Sequence, residues 1–242
     1  MEFTNLKLDR RASVFIITLK NGEENRLNYT TCREIISALD YARKLLGTSS
    51  EGALIVQGNN AKFFTTGIDL EEAQESPEVS ADAFYPMIHA VLDFPFPTIA
   101  LITGHTFGGG CPFSLAFDYR IMNSERGFFC MVAVDFGLHF PGIGALPKAK
   151  LAPPVAQKVL LEGHKYTGKE ALQDGIVHAI APPDKMLDVA LEYADIYKAK
   201  AKANVYGLLR GDLVREAIDS LQKVSYVHNP RLIKTNKGKS RL

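Results

Sequence analysis

An α/β fold is what this chain of 242 residues predicts, on three observations. Short apolar runs of strand length recur at Val14–Leu19, Ala53–Val56 and Thr98–Thr103. Between them lie segments with apolar residues at helical spacing, the alternation that builds parallel βαβ-type units. From Pro153 onward the pattern turns almost wholly helical, so a helical C-terminal region follows the strand-rich part.

The first strand, Val14–Leu19, ends at the turn Asn21-Gly22. Residues 30–46 place Ile35, Ile36, Leu39, Ala42, Leu45 and Leu46 on one helical face, and Gly47 stops that helix. Ala53–Val56 is a buried strand between Gly52 and Gly58, and Lys62–Leu70 reads as a strand end entering a turn. In that turn Asp69 is placed to cap the short helix that follows. A helix over 81–93 precedes the strand Thr98–Thr103, and Phe113–Phe117 begins another helix after three glycines. Tyr119–Met122 and Gly127–Met131 are short strands joined by the polar turn 123–126. Helices are expected over 154–162, 168–174, 185–202 and 207–222, with Ala179–Ala181 extended. The expected division is a core domain over 1–182, a helical region over 183–230 and a basic tail over 231–242.

Hydrophobic residues make up 46% and charged residues 23% of the chain, the balance of an ordinary globular protein. A formal net charge of +1 gives no field that selects nucleic acid. The tail 231–242 holds five basic residues and no acid; the remaining 23 basic and 27 acidic residues leave the body at −4. Three scattered cysteines, Cys32, Cys111 and Cys130, suit neither a disulfide framework nor a metal site, and point to a reducing compartment. No apolar run reaches the roughly 18 residues of a membrane span. The terminal Ser240-Arg241-Leu242 is close to the Ser-Lys-Leu peroxisomal address, which makes an import receptor an expected partner.

Chemistry concentrates in two glycine turns, Thr65-Thr66-Gly67 and Gly108-Gly109-Gly110, each following an apolar strand. Glycine there permits φ > 0 and lets backbone approach closely. If the two strands are neighbours, backbone N–H groups from both turns converge on one carbonyl oxygen, the requirement of an oxyanion hole.

Phe64-Thr65-Thr66-Gly67-Ile68-Asp69-Leu70, Pro97-Thr98-Ile99-Ala100, Gly104–Cys111 and Phe117-Asp118-Tyr119-Arg120 resemble the enoyl-CoA hydratase/isomerase (crotonase) superfamily. So do Asp135–Leu138, Pro141-Gly142 and Ala171–Val177, over roughly residues 12–182. Asn25-Arg26-Leu27-Asn28 and the terminal tripeptide are most similar to peroxisomal Δ3,Δ2-enoyl-CoA isomerases. The resemblance implies a spiral of ββα units assembled as trimers or hexamers, acyl-CoA as substrate, and no metal or other cofactor. It implies a thioester enolate held by the N–H groups of Thr66 and Gly109, with Gly67 and Gly108 beside them. Arg26 and Lys62 become candidates for holding the CoA portion.

The acid/base positions of the family are empty. Pro112 stands where hydratases place a glutamate after Gly-Gly-Gly-Cys, and Ala133 or Val134 stands at the second glutamate position. Proton transfer at carbon needs a group that takes and returns a proton. Asp135 and His139 are the nearest titratable residues and the candidates for that part, although a structural turn or cap place for Asp135 and a surface or core place for His139 are the more ordinary readings. The function expected is double-bond isomerisation, or hydratase-type chemistry, on an acyl-CoA. A non-catalytic acyl-CoA binder of the same fold is the alternative.

Overall fold

In the computed structural model, residues 2–224 are described. The strands are β1 (Leu6–Arg11), β2 (Val14–Leu19), β3 (Ala53–Gly58), β4 (Phe63–Thr65), β5 (Thr98–Ile102), β6 (His105–Phe107), β7 (Tyr119–Asn123), β8 (Phe129–Cys130) and β9 (Ala179–Ala181). They form two sheets, ordered β1-β2-β3-β5-β7-β9 and β4-β6-β8. All pairings are parallel except β1 with β2. The consecutive pairs β3/β4, β5/β6 and β7/β8 each give one strand to either sheet. The chain therefore advances as a spiral of ββα turns.

The helices are α1 (Tyr29–Leu46), α2 (Leu70–Glu75), α3 (Pro77–Leu92), α4 (Gly110–Leu115), α5 (Ala145–Lys150), α6 (Pro153–Leu161), α7 (Gly168–Gln173), α8 (Met186–Tyr197), α9 (Tyr206–Leu213) and α10 (Arg215–Val224). Asn28 caps α1 by accepting the Thr31 N–H at 2.9 Å, and Gly47, at φ +71°, ends it as expected. Asp69 caps α2 through the N–H groups of Glu71 and Glu72, the role read for it in the sequence. Apolar faces of α1, α3 and α10 close over one side of the large sheet, and α8 covers the other.

Several elements depart from the sequence reading. β1 was not expected, because its Leu-Lys-Leu-Asp-Arg-Arg run is polar; it survives as an edge strand held by full antiparallel register on β2. α4 starts at Gly110, three residues early. The expected helix 185–202 passes into a 3₁₀ turn over Lys198–Ala203. That expected over 207–222 breaks at Val214. There Arg210 is locked inward on the loop after α3, while α10 turns to bury Ala217 and Leu221 in the main core. The helical region thus shares the core of the first 182 residues. The tail 231–242, with Ser240-Arg241-Leu242, lies outside the described residues.

One buried ion pair ties this C-terminal region down. The Arg210 side chain, 2% exposed, meets Asp118 through Nε–Oδ1 and Nη2–Oδ2 contacts of 2.6 Å each. Its remaining donors go to the carbonyls of Leu92, Phe94 and Phe96. Asp118 also accepts the Thr98 N–H at 2.9 Å, so the clamp reaches the start of β5.

Candidate active site

β4 and β6 are parallel neighbours, with Phe63 opposite His105 and Thr65 opposite Thr106. Their C-terminal ends turn at the same sheet edge, which brings Gly67 against Gly109. Gly67 has φ +87°, and a Cβ there would lie 2.5 Å from Gly109 N and 2.7 Å from Phe107 O. A Cβ on Gly109 would stand 3.1 Å from Ile68 N and 2.9 Å from Ile68 Cγ1. Only glycine fits either place.

This approach sets the amides of Ile68 and Gly109 side by side. Neither N–H donates to an acceptor among the described residues. The Thr66 N–H is different, since it donates to the carbonyl of Glu24 at 3.0 Å. The Thr66 N–H expected to serve there is thus engaged, and the amide beside Gly109 that has no acceptor among the described residues is two residues later, at Ile68. The segment responsible is stitched firmly to the turn. Leu27 N–H donates to Gly67 O at 2.8 Å, Thr65 Oγ1 to Asn25 O at 2.7 Å, and Asn25, fully buried, adopts φ +50°. A non-glycine residue held in that conformation is paid for by its surroundings, and such strain gathers at functional sites.

The two amides open into a cavity of about 520 Å³. Ile68, Phe107, Met131, Ala133, Phe136 and Phe140 make much of its wall, which is apolar in the manner of ligand pockets. Its charged groups are Glu24, Arg26, Glu71 and Lys165. Arg26 donates Nε to Glu24 at 2.8 Å and lies 3.7–3.8 Å from Glu71 and Asp69, and these carboxylates, Glu24 first, raise its pKa.

Of the residues singled out in the sequence, Thr66, Gly108, Gly109 and Arg26 line this cavity. Gly67 stands behind the amides. Lys62 lies outside the lining, paired with Glu23 at 2.7 Å and stacked over Phe63. Asp135 and His139 are both exposed and outside the lining. A tight turn, with Asp135 and Phe136 N–H both donating to Val132 O, sends the Asp135 carboxylate toward Gly163 instead. Pro112 is buried within α4, and Ala133, not the exposed Val134, faces the cavity.

The sequence reading missed Ile68, Glu24, Glu71 and Lys165. Only Ile68 carried a local signal, as the residue after the glycine of the turn. Cys111 and Cys130 are buried, and burial pushes both thiols up, so neither supplies a thiolate nucleophile. Burial, then Arg126 and Lys62, lowers the His105 pKa, and its Nδ1 accepts the Phe128 N–H at 3.2 Å. Among the described residues no cluster of His, Cys, Asp and Glu is arranged to hold a metal, and no helix is long and apolar enough to cross a membrane.

The family model for enoyl-CoA hydratase/isomerase matches residues 9–240. Enoyl-CoA delta isomerase 3 of Arabidopsis thaliana is 32% identical over 221 residues, covering 86% of this chain and 92% of that protein. The peroxisomal enoyl-CoA delta isomerase 2 of the same plant is 35% identical over 185 residues, covering 72% and 76%. In fold, a probable enoyl-CoA hydratase of Mycobacterium tuberculosis superposes with a TM-score of 0.80 at 19% identity, over 98% of this chain and 100% of that one.

Proposed function

Because this chain belongs to the enoyl-CoA hydratase/isomerase family, we propose that it polarises an enoyl-CoA thioester and shifts the double bond of its acyl chain. The observation that carries this reading is the pair of free amides, Ile68 and Gly109, side by side at an apolar cavity. The thioester oxygen accepts both N–H groups, and negative charge that develops there as an α-proton leaves is met by preorganised dipoles. Each such donor is worth on the order of 100-fold or more in rate. The acyl chain lies along Phe107, Met131, Phe136 and Phe140, away from water.

Asp135 and His139 are given no part in this reading, since neither lines the cavity. The thioester is held by backbone, and Ala133, which lines the same cavity, offers no proton carrier. Ala133→Glu places a carboxyl at the position the resemblance assigns to a catalytic glutamate. It should raise isomerisation about 100-fold, the lower end of what a positioned acid/base group supplies. The test is incubation of both proteins with 3-enoyl-CoA and 2-enoyl-CoA, following interconversion and hydration. Binding without reaction in both would leave an acyl-CoA binder and overturn the enzymatic reading.

Two further parts of the reading concern the whole molecule. A homo-oligomer is supported by Val205, Leu208, Leu209 and Leu213, 45–74% exposed along α9 and the residue before it. A peroxisomal location is supported by the terminal Ser-Arg-Leu and by the peroxisomal relative.

A further inference from the structure

About a third of the residues that line the cavity come from a single segment with few hydrogen bonds to the rest of the fold. Val132, Ala133, Phe136, Leu138, Phe140 and Ile143 all line the cavity, and all lie between β8 and α5. Among the described residues, the backbone hydrogen bonds of 132–143 remain inside the segment (Asp135 and Phe136 to Val132, Gly137 to Val134, Leu138 to Ala133, Ile143 to Phe140), apart from Ala145 N–H to Gly142 O at its junction with α5. Val134, Asp135, Phe136, Gly137, His139 and Pro141 are exposed. A segment so built opens at low free energy unless something pins it.

The pin is Tyr85 of α3. Its ring is 5% exposed, and its hydroxyl donates to the Pro141 carbonyl at 2.7 Å. Beyond the junction with α5, where Ala145 N–H donates to Gly142 O, that is the one hydrogen bond found between segment 132–143 and another element among the described residues. α3 itself is anchored against α1, α2 and α10. Its Pro86, next to Tyr85, lacks the N–H that would bond to the Asp82 carbonyl, so the helix is loosened where the tether starts.

We infer that Tyr85 is a positioning residue that sets the acyl-binding wall of the cavity through its bond to Pro141. Resting on the proposed acyl-CoA chemistry, this assigns selection of the acyl chain to a contact outside the lining. Tyr85 is not among the residues that line the cavity, so it acts on the chain through the segment it holds. With the bond gone, Phe136, Leu138 and Phe140 are no longer held against the ligand, while Ile68 and Gly109 stay where β4 and β6 put them. Acyl affinity should therefore fall without loss at the thioester.

The experiment compares Tyr85→Phe, which keeps the ring and its packing, with the natural chain. Calorimetric Kd values are measured for CoA, butyryl-CoA and octanoyl-CoA. The loss of one hydrogen bond near 1 kcal/mol predicts about fivefold weaker octanoyl-CoA binding. Butyryl-CoA should lose less and CoA should be unchanged. Where turnover is measurable, KM for a long enoyl-CoA rises while kcat moves less. Equal weakening of all three ligands, or of none, overturns the inference. Failure of the natural chain to bind either acyl-CoA overturns the proposed function as well, so the two failures are distinguishable. Hydrogen exchange on the natural chain gives a check without a variant. The amides of 132–143 should exchange together and slow with octanoyl-CoA but not with CoA; independent exchange, or equal slowing by CoA, also overturns it.

Discussion

Gly67→Ala is expected to lower turnover at least 100-fold, although Gly67 offers no side chain to any ligand. Its Cβ would lie 2.5 Å from Gly109 N, 2.7 Å from Phe107 O and 2.8 Å from Gly110 N, all backbone atoms that cannot swing aside. The φ of +87° adds strain for any residue with a side chain. Relief comes only by parting the two turns, which pulls Ile68 N–H away from Gly109 N–H. Losing one donor of such a pair costs on the order of 100 to 1,000-fold in kcat. The stability cost should be about 1–3 kcal/mol, so a folded protein remains in which kcat/KM can be measured. Near-natural activity in that folded variant would sink the assignment of the two amides.

The largest loss of stability is expected from Arg210→Met. The methionine keeps much of the bulk but leaves the largely buried Asp118 carboxylate without its cation, keeping its bonds from Thr98, and three carbonyls lose a donor. Removing one partner of a buried pair typically costs about 3–5 kcal/mol, which in a chain of this size lowers Tm by about 10 °C. Adding Asp118→Asn to Arg210→Met should recover part of the loss, because the stranded charge is then gone. Calorimetry on the single and double variants decides it; a single variant as stable as the natural chain would show the clamp to be inert.

Much of this architecture was legible because strands and helices announce themselves locally. Val14–Leu19 and Ala53–Val56 are apolar enough to be buried on both faces of a parallel sheet. Gly47 and Asp69 end and begin helices by chemistry contained within a few residues. β1 was illegible because an edge strand needs only its partner, and its own residues are mostly charged. The break at Val214 was hidden because it answers to Asp118, 92 residues from Arg210.

The site divides in the same way. The residues offered the two glycine turns and the expectation that they meet, and the resemblance those motifs carry supplied the family and the empty glutamate positions. Tertiary structure decided which amides are free. The Glu24 carbonyl, some 40 residues upstream, takes the Thr66 N–H and leaves Ile68 to face Gly109. It also decided that Ala133 faces the cavity while Asp135 turns away, and that the Tyr85 hydroxyl meets the Pro141 carbonyl. The physical reason is common to all three. Glycine, capping and apolar alternation act within a few residues, whereas the direction of a hydrogen bond depends on a partner that only folding brings near.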